Sequence, residues 1–436
     1  MAVMAERAEF VAGSPWLMDR IPDRPRYFSP VPVPGARMTR RLVLTGLSIL
    51  ILAGPAAAQG PGNRPGTPIK PGEACPPGMT EVRPNNCQAP QMPAPSILDY
   101  RPRSTLVVPE HKIPRAKYPV IDFHGHPNIG SAEALARVGA AMDSLNIRLM
   151  IVAGNVSGDA LKSGRALVEA NPALRDRVRF FTGIRFSGVG EPGWAGRAIA
   201  QLEADAAAGA VGIGEVGKGL GLSTTRADGS RLRIDDPDLD PVWQAAARLG
   251  LPVFIHTADP QEFWQPIDFS NERWLELALF PGRRYPPEQF PSFEQLMTER
   301  DNLLRRNPKT TFVIAHMGWH ANDLGRLGKL FDELPNVHSE VGAVLYDIGR
   351  QPRAARAFFI KYQDRILFGK DSFQPEEYPY FWRVFETRDD YFDYYRPYHA
   401  FWKLYGIDLP DTVLKKVYFQ NALRITKALP QSGWPK

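Results

Sequence analysis

Residues 120–126 read Val-Ile-Asp-Phe-His-Gly-His, and a Pro-Asn-Ile-Gly loop follows directly. An apolar run that ends in His-x-His reads as a buried β-strand whose last residues reach an edge where chemistry can happen. Alternate side chains on a strand share a face, so Asp122, His124 and His126 are expected to point the same way. Histidine Cα atoms two residues apart lie roughly 6.5–7 Å from one another, and both imidazoles can then reach one ion at about 2.1 Å. A lone His-x-His is a weak signal. Its weight depends on what else the chain brings to the same edge.

From Tyr100 onward, β-like and helical runs alternate at a steady pace. The strand candidates are residues 118–126, 147–155, 177–186, 210–217, 251–258, 310–317, 336–344 and 365–372. Helix-patterned segments lie between them, among them 132–145, 194–208, 241–249, 293–306 and 353–363. Several strands are almost continuously apolar, as parallel strands covered on both faces should be. Eight strand–helix units predict an α/β fold, a (β/α)₈ TIM barrel. A doubly wound open sheet is the alternative, and no Gly-rich phosphate turn supports it.

The active site of such a barrel lies at the C-terminal ends of its strands. Reading those ends in order gives His124 and His126, then Asn155, Arg185, Glu215, His256 and His316, and finally Asp371 on the eighth. Four of the chain's eight histidines thus fall at one rim, where a random scatter would seldom put them. His320 lies one helical turn past His316 and reads as a loop residue near the mouth; as a ligand it would require that segment to be helical. The stretch 259–292 is a long connection that carries Phe263, Trp264, Arg273, Trp274 and Arg284, the character of a lid or binding loop. Arg185, Arg273 and Trp264 are the substrate-binding candidates, the arginines as bidentate holders of a carboxylate. The aromatic-rich segment 391–405 reads as packing against the barrel, and His111, His338 and His399 receive no role.

Taken together, His-Gly-His after strand one, His after strands five and six, and Phe-Gly-Lys-Asp after strand eight resemble the amidohydrolase superfamily. The similarity is to its amidohydrolase-related branch, amidohydrolase family 2, and it covers about residues 99–429, including a closing segment at 409–425. That branch contains hydrolases, lactonases and non-oxidative decarboxylases such as aminocarboxymuconate-semialdehyde decarboxylase. The resemblance implies one divalent ion, Zn²⁺ by expectation, held by His124, His126 and His256 with Asp371 beside it. Such a site leaves room for a water whose pKa the ion lowers toward about 7. Asp371 and His316 would then be the catalytic pair. The bridging lysine of many superfamily members is not matched in Gly-Ile-Gly-Glu-Val-Gly-Lys at 212–218. Glu215 and Lys218 are left as candidates for a second ion, for the substrate or for a structural ion pair. The expected activity is cleavage of a small amide, ester or lactone. A carboxy-lyase of the same branch is the alternative, and a barrel that binds without turnover is a third reading.

The N-terminal region carries a separate message. Met38-Thr-Arg-Arg, the apolar run 42–53 and Ala56-Ala57-Ala58 have the layout of a secretory signal peptide. The run is too short to span a bilayer comfortably, and its two arginines also fit a twin-arginine signal. Met38 then reads as the true start, with residues 1–37 an over-called leader ahead of it. Residues 59–97 are rich in Pro and Gly and read as an extended linker before a barrel at 98–436. Cys75 and Cys87, the only two cysteines, lie in this linker and would pair in an oxidising compartment. The net charge of +6 overstates any basic surface, because residues 1–58 hold seven Arg against four Asp or Glu. With no cluster of basic and aromatic residues, nucleic acid is not an expected partner. The expected partner is a small-molecule substrate, with no membrane anchor after cleavage and homo-oligomerisation left open, in the periplasm or outside the cell. N-terminal sequencing of periplasmic protein should therefore begin at Gln59 or Gly60. A mature cytoplasmic chain that still starts at Met1 would overturn the export reading.

Overall fold

The computed structural model describes residues 66–89, 102–268, 270–399 and 401–436. The leader and signal segment lie outside the described residues. The chain divides between Met92 and Pro93 into two units. In the first, part of the stretch read as an extended linker is ordered. Thr67–Pro68, Thr80–Arg83 and Asn86–Gln88 pair into a small antiparallel sheet. A Cys75–Cys87 disulfide closes it, with the Cα atoms 5.7 Å apart. A segment with so little apolar content holds a fold because a covalent staple supplements its small core.

The second unit contains eight parallel strands. They are β1 (Val120–His126), β2 (Ile147–Val156), β3 (Val178–Thr182), β4 (Ile213–Val216), β5 (Val253–Ile255), β6 (Phe312–Ile314), β7 (Val337–Glu340) and a broken β8 (Ile366–Leu367 and Asp371–Ser372). The first piece of β8 pairs with β7 and the second pairs with β1. The backbone N–H of Phe123 also donates to Phe368 O at 3.0 Å. Both ends of the strand order therefore belong to one segment, and the sheet closes on itself as a TIM-type barrel.

Local chemistry sets the helix ends. Ala132–Leu145 (α1) begins where the Ser131 side chain accepts from Ala134 N, and it stops at Asn146 in the left-handed region. It buries Leu135, Val138, Met142 and Leu145, one stripe at helical spacing. Asp159–Glu169 (α2) and Trp194–Ala207 (α3) follow β2 and β3. Asp240–Leu249 (α4) has proline in its first turn and Gly250 at φ 68° after its last. Phe293–Arg306 (α5) is capped by Ser292. Among the described residues no helix is long and apolar enough to cross a membrane.

Several strands are shorter than the sequence suggests, and the difference shapes the rim. β6 ends at Ile314, and His316, Met317 and Trp319 then take positive φ values of 57°, 51° and 54°. The tight turn folds apolar-looking sequence inward over the barrel mouth. β1 departs from strict alternation, since its register with β2 shifts between Asp122 and Gly125. Phe123 packs edge-to-face on Phe181 and Phe254, with centroids 5.1 and 5.8 Å away. Asp122 does not join the two histidines. Its carboxylate accepts from Tyr378 Oη at 2.6 Å and from Lys370 N at 3.1 Å, tying β1 to the break in β8.

That break needs a residue without a side chain. A Cβ on Gly369 would lie 2.5 Å from Glu340 Oε2 and 2.8 Å from His124 Cβ. Both neighbours are fully buried and have no room to retreat. Gly369→Ala should destabilise the protein by about 1–3 kcal/mol through overpacking, read as a lower chemical-denaturation midpoint. An unchanged midpoint would show that β8 relaxes more freely than this packing implies.

Candidate metal centre

Four side chains converge above the closed sheet. His124 Nε2 lies 3.1 Å from His126 Nε2 and 3.4 Å from Glu215 Oε2. His126 Nε2 lies 3.2 Å from the same Glu215 oxygen, and Asp371 Oδ1 is 3.8 Å from both histidine nitrogens. Four donors around an ion at about 2.1 Å would stand roughly 3.4 Å apart at the corners of a tetrahedron. The observed separations bracket that value, so the residues fit a divalent ion. His124, His126 and Asp371 form one metal-capable group, and Glu215, His256 and His316 form a neighbouring one.

The histidines are held so that one nitrogen of each is left for other work. His124 Nδ1–H donates to Glu340 Oε1 at 3.1 Å, His256 Nδ1–H to Glu215 Oε1 at 2.5 Å and His316 Nδ1–H to Gly342 O at 2.8 Å. In each case Nε2 is the nitrogen left for a metal or a proton. His256 Nε2 is buried without a hydrogen-bond partner, with Asp259 Oδ1 3.9 Å away. His256 thus leans on Glu215 and stays in a metal-capable group with Glu215 and His316, while Glu215 also stands beside His124 and His126.

Electrostatics agree with a cation site. Burial opposes charge on His124, yet Glu340 and Glu215 hold it well above the usual imidazole range. Burial likewise raises Asp371 and Glu215, but the surrounding histidines outweigh it and keep both carboxyls below their ordinary values. Buried carboxylates of this kind demand positive charge nearby, which protonated histidine or a bound cation supplies. His316 is different. Burial, with His256 adding to it, lowers its pKa to about 4, so it is neutral in ordinary buffers.

The remaining expected residues separate. Arg185 is exposed on the loop after β3. Arg273 is buried, with Glu276 Oε2 at 2.8 Å and Glu262 Oε2 at 3.5 Å, and its guanidinium lies 4.5 Å from the Tyr346 ring centroid. It anchors the insertion. Trp264 stacks on Tyr285 at 4.4 Å and donates to Pro291 O. Lys218 Nζ pairs with Asp259 Oδ2 at 2.5 Å. His320 follows the turn after β6, is buried and accepts from Arg300 at 3.2 Å. Asn155 is exposed at the end of β2.

Glu340 is the residue the sequence reading passed over. It ends β7 fully buried, and Oε1 also accepts from His316 N at 2.7 Å while Oε2 accepts from Gly342 N. Its strand reads Val-His-Ser-Glu, and only its place at the end of a barrel strand could have singled it out.

A family model described as amidohydrolase matches residues 121–425. No curated protein matches the sequence. Among solved structures, the chain is similar to an uncharacterized TIM-barrel protein from Bordetella bronchiseptica, at 17% identity and a TM-score of 0.43, over 71% of this chain and 99% of that one. It is also similar to a dihydroxybenzoic acid decarboxylase from Polaromonas sp. JS666 with bound manganese and the inhibitor 2-nitroresorcinol, at 14% identity and 0.45, over 71% and 97%. A third is 5-carboxyvanillate decarboxylase from Sphingomonas paucimobilis, at 15% identity and 0.40, over 71% and 99%.

Elemental analysis of purified protein should find about one transition-metal ion per chain. Glu340→Gln should weaken metal affinity by about 10–100-fold by loosening His124, although Glu340 stands behind the donors. Two ions per chain would instead recruit His256 and His316. Unchanged affinity in the variant would remove Glu340 from any orienting role.

Proposed function

Because the chain belongs to the amidohydrolase family, we propose that it is an exported, metal-dependent hydrolase that cleaves a small amide, ester or lactone. The carrying observation is the convergence of His124, His126, Glu215 and Asp371, with His316 beside them. The nitrogen and oxygen donors and their spacing suit one Zn²⁺. When bound, the ion supplies Lewis-acid chemistry, polarising a carbonyl and acidifying water.

The protein's own groups divide the remaining work. His124, His126 and Glu215 hold the site's geometry, with His124 and Glu215 braced in turn by Glu340 and His256. Asp371, kept ionised, is the general base: it takes a proton from the attacking water and returns it to the leaving group. His316 presents a neutral Nε2 because Nδ1–H is committed to Gly342 O. It therefore accepts a hydrogen bond from an N–H or O–H of the substrate and orients it. The turn 315–319 brings Trp319 against His316, with centroids 4.6 Å apart, and this ring screens the site from water. Export to the periplasm or beyond is part of the proposal and rests on the signal pattern at 38–58.

Asp371→Asn should lower kcat by about 10²–10⁴ while most of the metal is retained. Turnover in ¹⁸O-labelled water should place the label in the product acid. Release of CO₂ with a protonated carbon and no ¹⁸O incorporation would replace the hydrolase with the family's carboxy-lyase chemistry.

A further inference from the structure

A cavity of about 660 Å³ lies away from the metal centre, between the first turn of α2, one face of α3 and the loop after β3. None of the four converging donors lines it. Gly125, between the two histidines, pairs with Val152 on β2, whereas the cavity is lined from Ser157 onward, beyond the end of that strand at Val156. Adjacent barrel helices ordinarily fill such a space with side chains. Here the walls facing it include Ala160, Ala198 and Ala204, which leave it open.

Its charge is uneven. Lys162, Arg185 and Arg197 border the space with Asp159 and Asp205. Asp205 is fully buried and already accepts from Gly158 N at 3.0 Å and Thr182 Oγ1 at 2.6 Å. Lys162 pairs with Asp159 at 3.3 Å and Arg197 with Glu191 at 3.2 Å, both exposed contacts that hold weakly. Arg185 forms no ion pair among the described residues. Its backbone, however, is fixed: Trp194 Nε1–H donates to Arg185 O at 3.2 Å, and Trp194 is buried. Arg185, free of ion pairs among the described residues, therefore lines an unfilled space that Trp194 and Ile184 also line, its backbone carbonyl held by the Trp194 indole.

We propose that this cavity binds an organic carboxylate, its charge paired with Arg185 and its apolar body against Trp194 and Ile184. A guanidinium and a carboxylate match as a bidentate pair, and the apolar wall sets this ligand apart from a hydrated inorganic anion. The site is independent of the metal centre and of the proposed hydrolysis.

The test uses the full chain, benzoate as probe and neutral benzamide as control. Phenylglyoxal modification, mapped by peptide mass spectrometry, should label Arg185 readily, and benzoate but not benzamide should protect it. Protection should persist after a chelator has stripped the metal. In calorimetry Arg185→Gln should weaken benzoate binding about tenfold or more, with metal content unchanged. Equal protection by both probes, or none by either, overturns the proposal. So does protection that vanishes with the metal, since benzoate would then sit at the catalytic centre.

Discussion

A carboxylate buried without exposure at the end of β7 governs the rest of this barrel. Glu340 accepts from the His124 ring, the His316 backbone and the Gly342 backbone, so the first, sixth and seventh strands meet on one side chain. Removing a charge from water costs several kcal/mol unless hydrogen bonds and opposite charge replace the lost solvent. Here they do so fully, and the histidines are fixed as a consequence. Gly342 and Gly369 lack side chains where a Cβ would meet Glu340 Oε2 at 2.8 and 2.5 Å. The glycines are thus part of the same arrangement, because only a bare backbone lets β8 pass this close.

From that centre the constraint spreads through shared carboxylates. Glu215 offers one oxygen to His124 and His126 and the other to His256, coupling β4 to β1 and β5. Asp122 does similar work lower down, bonding β1 to β8 and to Tyr378 of the helix Tyr378–Glu386. Each such group is polar, buried and satisfied. Each spans elements distant in sequence, so the site and the closed sheet form together.

A second buried network holds the long insertion after β5. Arg273 joins Glu262 and Glu276 and lies against Tyr346, while His399 Nε2 meets Glu276 Oε2 at 3.1 Å. An insertion of this length pays conformational entropy to become ordered, and ion pairs shielded from water offset it more than exposed ones would. Arginine is suited to the position because its guanidinium can pair with carboxylates and lie on aromatic faces at once. The aromatic segment 391–405 supplies one of those faces, with the Trp402 ring centroid 5.5 Å from the Arg273 guanidinium.

The sequence by itself determined the repeating units and the rim. Near-continuous apolar runs separated by amphipathic stretches require parallel strands with covered faces, and eight of them close a barrel. His124, His126 and Asp371 could be named as candidates because several strand ends carry metal-capable residues together, where one alone would have been a weak signal. Tertiary structure decided which groups share a corner of the site. Glu340 lies 216 residues from His124, and nothing local to Val-His-Ser-Glu distinguishes a central carboxylate from a solvated one. Arg273 shows the converse, since an arginine in a long loop looks free until buried glutamates and aromatic rings claim it. The register shift in β1 that parts Asp122 from the histidines, and the left-handed turn at 316–319, likewise arise from packing between strands. Periodicity is a property of neighbours in the chain, whereas burial and charge compensation belong to neighbours in space.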